Sequence, residues 1–211
     1  MRIFIPLILL LFLASCKYTG TIAPPAATAC TPYTYTAIVT LPPGVTSTLT
    51  GVAGFPASMT VAAPTVTGTP TWAEIRSYGV SANGTVTSTV PWNKTAAWSA
   101  AATFVVLPPP FTVVPAAGFI IPGFTQLSNP VTVTITTPSA CPYSAAYASG
   151  PFGLAQITTV PAAPQASNPT DAITITLSRE SDAAYTGTLT VTLTSAAGGP
   201  PVVVPIPITA L

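Results

Sequence analysis

Apolar residues and threonines alternate along much of the chain. The clearest runs are residues 131–136, 173–177 and 189–194, in which valine, isoleucine or leucine occupies every second position with threonine between. A period of two places the apolar side chains on one face of a strand and the threonines on the other. Threonine is also β-branched, which suits the pleated surface of a sheet. The pattern therefore predicts strands half-buried against a core.

Weaker forms of this pattern predict further strands at residues 33–41, 45–51, 59–67, 71–80, 85–90, 98–107, 154–160 and 202–209. No segment has a sustained helical period, and only residues 92–102 could hold a helical turn. The 26 prolines mark turns and edges, because proline cannot donate a hydrogen bond to a sheet ladder. Many short strands between turn signals predict an all-β fold, an antiparallel β-sandwich.

The amino terminus departs from this pattern. After Met1 and Arg2, an apolar run covers residues 3–13 and is interrupted only by Pro6. A transmembrane helix needs about 20 apolar residues, so the run is too short to span a membrane. It has the length expected of a secretion signal. The run ends in Leu13-Ala14-Ser15-Cys16, which resembles the lipobox of bacterial lipoproteins.

The lipobox resemblance implies cleavage before Cys16, so that residues 1–15 are a lipoprotein signal peptide, and lipidation of the Cys16 thiol, which anchors the protein in a membrane. Two or more acyl chains hold a protein stably, at about 0.8 kcal/mol per buried methylene. Lys17 stands where an aspartate commonly retains such proteins in the inner membrane, so the resemblance favours the outer membrane or cell surface. The alternative is an ordinary secretion signal with an incidental cysteine.

Residues 16–29 are small, polar and proline-containing, and they are predicted to form a flexible tether. Cys30 and Cys141 remain once Cys16 carries lipid. An even number of cysteines in an oxidising compartment predicts a Cys30–Cys141 disulfide, the alternative being two buried free thiols. Such a bond would join the start of the fold to its middle, which favours one sandwich domain over residues 30–211, with a subdivision conceivable near 108–110.

Charged residues form only 4% of the chain, the net charge is +1 and histidine is absent. Typical soluble domains are about 25% charged. The chain offers no basic patch, so nucleic acid is not expected as a partner. Without histidine, Ser-His-Asp and Cys-His mechanisms are excluded. The acidic residues do not have the spacing of a calcium loop, so neither an enzyme, a cofactor nor a metal site is expected.

Residues 71–80 are chemically richer than the rest of the chain. On a strand, alternation would place Trp72, Glu74, Arg76 and Tyr78 on one face. Aromatic rings beside a carboxylate and a guanidinium predict a glycan-binding strip. The alternative is an exposed strand on which Glu74 and Arg76 pair weakly while the two rings cover a sheet edge.

The stretch from Asn168, NPTDAITITLSRESDAAYTGTLTVTLTSAAGGPP, resembles the repeats of bacterial immunoglobulin-like envelope domains in its strand pattern. The resemblance implies an immunoglobulin-like sandwich and says nothing about a ligand. We expect a non-catalytic, lipid-anchored cell-envelope protein that acts as a structural or adhesive surface module. Its partners would be other envelope proteins, further copies of itself or glycans. Two alternatives stay open: a subunit of an extracellular filament or coat, and a carbohydrate-binding module.

Overall fold

A computed structural model of the chain describes residues 18–19, 21–39, 45–88, 95–123, 126–135, 143–147, 157–160, 165–167, 173–179 and 184–211. The predicted signal peptide, Cys16 and Cys141 lie outside these residues. The strands are β1 Tyr18–Thr19, β2 Ala27–Thr28, β3 Tyr33–Thr36, β4 Val45–Ala53, β5 Met59–Ala62, β6 Thr65–Gly68, β7 Ser77–Ser88, β8 Thr95–Leu107, β9 Phe111–Val114, β10 Phe119–Ile121, β11 Val131–Ile135, β12 Tyr143–Tyr147, β13 Ile157–Val160, β14 Gln165–Ser167, β15 Ile173–Arg179, β16 Tyr185–Thr194 and β17 Val202–Ala210. The described part is therefore all-β, with a 3-10 turn at Trp72–Glu74.

The chain divides into two compact units. Unit 1 comprises Met1–Ala26, Tyr33–Gly68 and Ser77–Val105, and unit 2 comprises Ala27–Pro32, Thr69–Arg76 and Val106–Leu211. This organisation differs from a simple division near residues 108–110, because two short earlier segments belong to unit 2.

Unit 1 is an immunoglobulin-like β-sandwich. One sheet has the strand order β1-β8-β7-β4, and the other has the order β3-β6-β5. β1 runs parallel to β8, with Tyr18 opposite Trp98, whereas the pairs among β3 to β8 are antiparallel. With β3 to β8 taken as strands B to G, the two sheets are B-E-D and C-F-G, which is the immunoglobulin order.

Unit 2 has the same central arrangement, with β9 and β14 added at the edges of its sheets. Its larger sheet has the order β10-β17-β16-β12-β14 and its smaller sheet the order β13-β15-β11-β9. β10 runs parallel to β17, with Phe119 opposite Ile208, just as β1 runs parallel to β8. The antiparallel, immunoglobulin-like sandwich predicted from the sequence is thus the fold of the chain, and it occurs twice.

Alternation along the strands builds the core of unit 2. On β17, Val202, Val204, Ile206 and Ile208 are buried while the residues between them are exposed or half-buried. On β15, Ile173, Ile175 and Leu177 are fully buried in the same way. At about 25 cal/mol per Å² of buried apolar surface, these aliphatic rows supply the main driving force for the packing of the two sheets.

Several predicted elements differ in the structure. Residues 59–67, predicted as one strand, form the hairpin β5–β6, because Ala63 and Pro64 form a turn between the two strands. Residues 92–102, considered for a helical turn, are strand from Thr95 onward. Trp98 and Ala100 are buried and Ala96 and Ala102 are half-buried, whereas the residues between them are exposed, which is the period of a strand.

The stretch predicted as a flexible tether, residues 16–29, is partly folded. β1 and β2 both pair with β8, β2 through Ala27 opposite Val106. Ile22 and Ala29 are buried as well. The few apolar side chains of this stretch gain burial against the sheets, and parallel pairing satisfies its backbone groups.

Candidate functional site

The four residues of the predicted glycan-binding strip do not share a strand face. Trp72 and Glu74 belong to the 3-10 turn, Arg76 follows in a bend, and Tyr78 is the second residue of β7. Trp72, Glu74 and Arg76 are part of unit 2, whereas Tyr78 is part of unit 1. The predicted strand over residues 71–80 is therefore wrong in its first half, and alternation along a single strand does not place the four side chains on one face.

Trp72 is a core residue. Its side chain is 1% exposed, and its indole N–H donates to the Pro200 carbonyl oxygen at 2.9 Å. Its ring stacks on that of Tyr143, with the centroids 6.5 Å apart and the planes at 21°. Buried tryptophans are usually satisfied in this way, by apolar packing and one partner for the N–H. Trp72 presents no ring face to a sugar.

A local motif explains why this segment turns instead of extending. The backbone N–H and the hydroxyl of Thr71 both donate to the Glu74 carboxylate, at 2.7 and 3.0 Å. This is the Thr-x-x-Glu pattern of a capping box, in which the acid reaches back to the first residue of the turn. The Thr-x-x-Glu pattern is present in the sequence at residues 71–74. It predicts a turn there, whereas the alternation of apolar and polar residues predicts a strand.

Tyr78 joins a different group of rings, which we call the aromatic cluster. Phe104 is fully buried at its centre, and the ring centroids of Tyr33, Phe55 and Tyr78 lie 5.3, 4.9 and 6.4 Å from it. The ring of Tyr35 packs against that of Phe55, with the ring centroids 6.4 Å apart. The four outer rings are half-buried. They come from distant parts of the sequence, so only the sandwich fold brings them together.

Tyr33 has an altered acidity within this cluster. Its hydroxyl donates to the Pro25 carbonyl oxygen at 3.0 Å. Burial raises the pKa of Tyr33 from 10.0 to about 12, and repulsion from Tyr35 adds to the shift. The cluster carries no charge at neutral pH, so its chemistry is that of apolar ring surfaces with a few hydroxyls.

A second surface feature of unit 1 is the outer side of β4, β7 and β8, which we call the threonine face. Its members are small and uncharged: Thr46, Thr48, Gly51 and Ala53 on β4; Ser81, Asn83, Thr85 and Thr87 on β7; and Thr95, Ala97, Ser99, Ala101 and Thr103 on β8. All of them are exposed except Gly51 and Thr87, which are half-buried. No member is charged, aromatic or a large aliphatic residue.

Residues 178–182 follow the strand predicted at residues 173–177. In the structure Ser178 and Arg179 are the last residues of β15, and residues 180–182 lie outside the described ones. Arg179 is 3% exposed, and its guanidinium donates to the Leu211 carbonyl oxygen. Within the described ranges, no group of three or more acidic, cysteine or histidine residues is placed to hold a metal ion.

Cys30 lies in a tightly bonded stretch of unit 2. It is buried, it has a positive φ of 61°, and its N–H donates to the Pro70 carbonyl oxygen at 2.6 Å. Cys30 is disulfide-bonded. Since Cys16 and Cys141 lie outside the described residues, the pairing of Cys30 with Cys141 stays a prediction. Among the residues described, no helix has the length and apolar character to cross a bilayer.

No protein-family model matches the chain, and no curated protein matches it. Among solved structures, the chain is similar to the D00-D0 domain of intimin, at 16% identity over 90% of this chain and 98% of that chain, with a TM-score of 0.32. It is also similar to domains 4 and 5 of the S-layer protein SbsC, at 14% identity over 80% of this chain and 71% of that chain, with a TM-score of 0.30.

A third similar structure is an endo-fucoidan hydrolase from glycoside hydrolase family 107, at 17% identity and a TM-score of 0.26. The match covers 91% of this chain but spans only 29% of the length of the hydrolase. Likenesses this distant carry no functional argument. The immunoglobulin-like assignment stands on the strand order of the two units.

Proposed function

We propose that this protein is a non-catalytic, lipid-anchored module of the cell envelope, a structural or adhesive protein at the outer membrane or cell surface. The observation that carries the proposal is the sequence Leu13-Ala14-Ser15-Cys16 at the end of a signal-length apolar run. Lipid on Cys16 would hold the protein to a membrane and leave two immunoglobulin-like sandwiches outside it. Its further partners are envelope proteins, other copies of the chain or glycans.

The side chains support a non-catalytic role. The chain has no histidine, and two of its few charged side chains bind groups of the protein itself. Glu74 accepts from Thr71, and Arg179 donates to Leu211. General acid–base catalysis needs a titratable group within hydrogen-bond reach of a substrate, and neither arrangement provides one.

Metabolic labelling tests the anchor. Cells expressing the wild-type chain, Cys16→Ser or Cys30→Ser are grown with a clickable palmitate analogue, and label on the purified protein is measured. We expect label on the wild-type chain and on Cys30→Ser, and none on Cys16→Ser, which should also leave the membrane fraction. Equal labelling of Cys16→Ser and wild type would overturn the proposal.

One observation favours the second candidate, a filament or coat subunit. β4 ends the strand order of its sheet, and its sequence VTSTLTGVA has neither the charge nor the proline that commonly protects an edge from strand addition. Size-exclusion chromatography and electron microscopy distinguish this role, because a subunit would form ordered polymers whereas a monodisperse monomer would count against it.

The carbohydrate-binding alternative loses its original basis, since Trp72 is buried. Of the two aromatic residues predicted for it, Tyr78 alone is partly exposed, as a member of the aromatic cluster. A glycan-array signal that survives Trp72→Phe and falls with Tyr78→Ala would restore this role at the aromatic cluster.

A further inference from the structure

The folded part of unit 1 begins very close to the proposed lipidation site. β1 starts at Tyr18, the second residue after Cys16, and pairs with β8 through Tyr18 opposite Trp98 and Thr19 opposite Ser99. Two residues of fully extended chain span at most about 7 Å. Whatever conformation this link adopts, the Cα atom of Tyr18 therefore lies within about 7 Å of that of Cys16.

Ile22 holds the same stretch to unit 1 a second time. Its side chain is buried, and it is the sixth residue after Cys16, a span of at most about 22 Å. A free tether over residues 16–29 would have a root-mean-square length of about 20 Å and could extend to about 50 Å. The residues predicted to space the fold from the lipid are instead part of the fold.

The dimensions of a bilayer place this link in the headgroup layer. Acyl chains on Cys16 would occupy the hydrocarbon core, so Cys16 itself would lie at the inner boundary of the headgroups. A bilayer is about 40–45 Å thick around a core of about 30 Å, which leaves about 5–8 Å for each headgroup layer. A link of at most about 7 Å therefore brings the chain no further than the outer surface of that layer before β1 begins.

The charges of the chain are divided unequally between the two units. After the predicted cleavage site, the charged residues of unit 1 are Lys17 and Lys94, whereas all four acidic residues of the chain belong to unit 2. Basic residues near a membrane are attracted to anionic lipids. Unit 1 is therefore the unit whose charge is complementary to an anionic membrane surface, and Lys17, next to Cys16, lies at the headgroups through its position in the chain.

We infer that unit 1 is seated directly on the headgroup layer, with the start of β8 beside Tyr18 at the membrane, and that the short link to Cys16 holds it there. The inference rests on the proposed lipid anchor and names the surface that the anchored protein contacts. The exposed residues at the start of β8, Thr95, Ala97 and Ser99, are uncharged. They neither repel nor select a headgroup, so the covalent link sets the distance.

The test uses the lipidated full chain, reconstituted into a supported bilayer of phosphatidylcholine and phosphatidylglycerol. Neutron reflectometry measures the thickness of the water layer between the headgroups and the protein. Two variants carry the same Gly/Ser insert of about 20 residues. One has it between Lys17 and Tyr18, and the matched control has it after Leu211, where it adds the same mass without lengthening the link to the lipid.

We expect the parent chain and the Leu211 control to lie over a water layer of at most about 7 Å. The insert before Tyr18 should widen this layer to about 25 Å, the root-mean-square length of a flexible chain of that size. Circular dichroism confirms that each variant is folded. If the insert before Tyr18 impairs folding, a diazirine amino acid in place of Ala97 in the parent chain provides the second measurement, and we expect it to form adducts with lipid headgroups.

A water layer beneath the parent chain clearly wider than about 7 Å, or an Ala97 probe that forms no lipid adduct, would overturn the inference. Equal layers for the parent chain and for the insert before Tyr18 would overturn it as well, because the link would not then set the distance. These outcomes leave the anchor intact. A chain that takes up no palmitate label and forms no layer on the bilayer would instead overturn the proposed function.

Discussion

Two successive glycines before β17 have different surroundings. Gly198 and Gly199 both adopt left-handed backbone conformations, with φ of 83° and 102°. A Cβ at Gly199 would lie 2.5 Å from the Trp72 carbonyl oxygen, whereas one at Gly198 would meet nothing within 4 Å. The close approach at Gly199 lets the chain pass over the turn that holds Trp72.

Gly199→Ala should therefore destabilise the protein more than Gly198→Ala. Both variants incur the left-handed penalty of about 1–2 kcal/mol, and Gly199→Ala adds a steric overlap with backbone that cannot move freely, worth about 1–3 kcal/mol. Urea denaturation of the two variants measures the difference in the free energy of unfolding. Equal losses of unfolding free energy would show that the backbone at Trp72 moves to make room for the added methyl group.

Tyr33 makes stability depend on pH in the alkaline range. Its pKa is raised from 10.0 to about 12 by burial and by Tyr35, so the folded chain favours the neutral phenol more than the unfolded chain does. This contribution to stability is complete below the unfolded pKa and is lost as the pH rises through the folded one. Ionisation would also remove the hydrogen that Tyr33 donates to Pro25.

Alkaline titration of tyrosinate absorbance, with wild type and Tyr33→Phe compared, checks this expectation. The wild-type curve should contain a late step near pH 12 that is missing from the Tyr33→Phe curve. If the amplitude lost in Tyr33→Phe lay near pH 10 instead, Tyr33 would titrate like an exposed tyrosine and the expectation would be wrong.

At the scale of single elements, alternation predicted the strands best where apolar residues and threonine alternate strictly. The predictions at residues 131–136, 173–177 and 189–194 are confirmed by β11, β15 and β16. The alternation pattern gave wrong predictions where a local turn interrupts the strand, as at residues 63–64 and at the Thr71–Glu74 capping box. A side chain that bonds its own backbone neighbours sets the local conformation before sheet pairing can act.

β10 is short and depends on one side chain besides its pairing with β17. Asn129 donates from its side-chain amide to the Gly118 carbonyl oxygen at 3.1 Å, and its amide oxygen accepts from the Ile120 N–H. The Asn129 N–H donates in turn to the Ile120 carbonyl oxygen at 3.1 Å. One asparagine thus satisfies several backbone groups of an edge strand.

Asn129→Ala should loosen β10 without unfolding the sandwich. Loss of these bonds costs about 1–3 kcal/mol when backbone groups are left unpaired, and hydrogen exchange at the Ile120 amide should accelerate. Asn129→Asp is the matched control, because it keeps an acceptor for Ile120 and should preserve much of the protection. Unchanged exchange in Asn129→Ala would show that β17 alone holds the strand.

At the scale of the whole molecule, the order of segments along the chain does not match their distribution between the units. Cys30 and Trp72 belong to unit 2 although each is followed along the chain by a long segment of unit 1. A covalent link from Cys30 to the later part of the chain would therefore close a loop of sequence that contains most of the residues of unit 1.

Breaking the predicted Cys30–Cys141 disulfide should lower the free energy of unfolding considerably. The chain-entropy model assigns about 4.7 kcal/mol to a loop of about 100 residues. Chemical denaturation of the wild-type chain with and without reductant measures the loss, and the double variant Cys30→Ser, Cys141→Ser should be insensitive to reductant. Peptide mapping that joins Cys30 to Cys16 would contradict both the pairing and the lipid anchor.

The sequence by itself determined most of the strands, the immunoglobulin-like class and the expected location in the cell envelope, because alternation, turn residues and the lipobox are local patterns. The tertiary structure decided which side chains are accessible. Trp72 and Tyr78 look equivalent in the sequence, yet one is a buried core ring and the other is part of a half-buried cluster. Neither the aromatic cluster nor the threonine face is visible in the sequence, because each is assembled from distant segments whose register only the folded sheets fix.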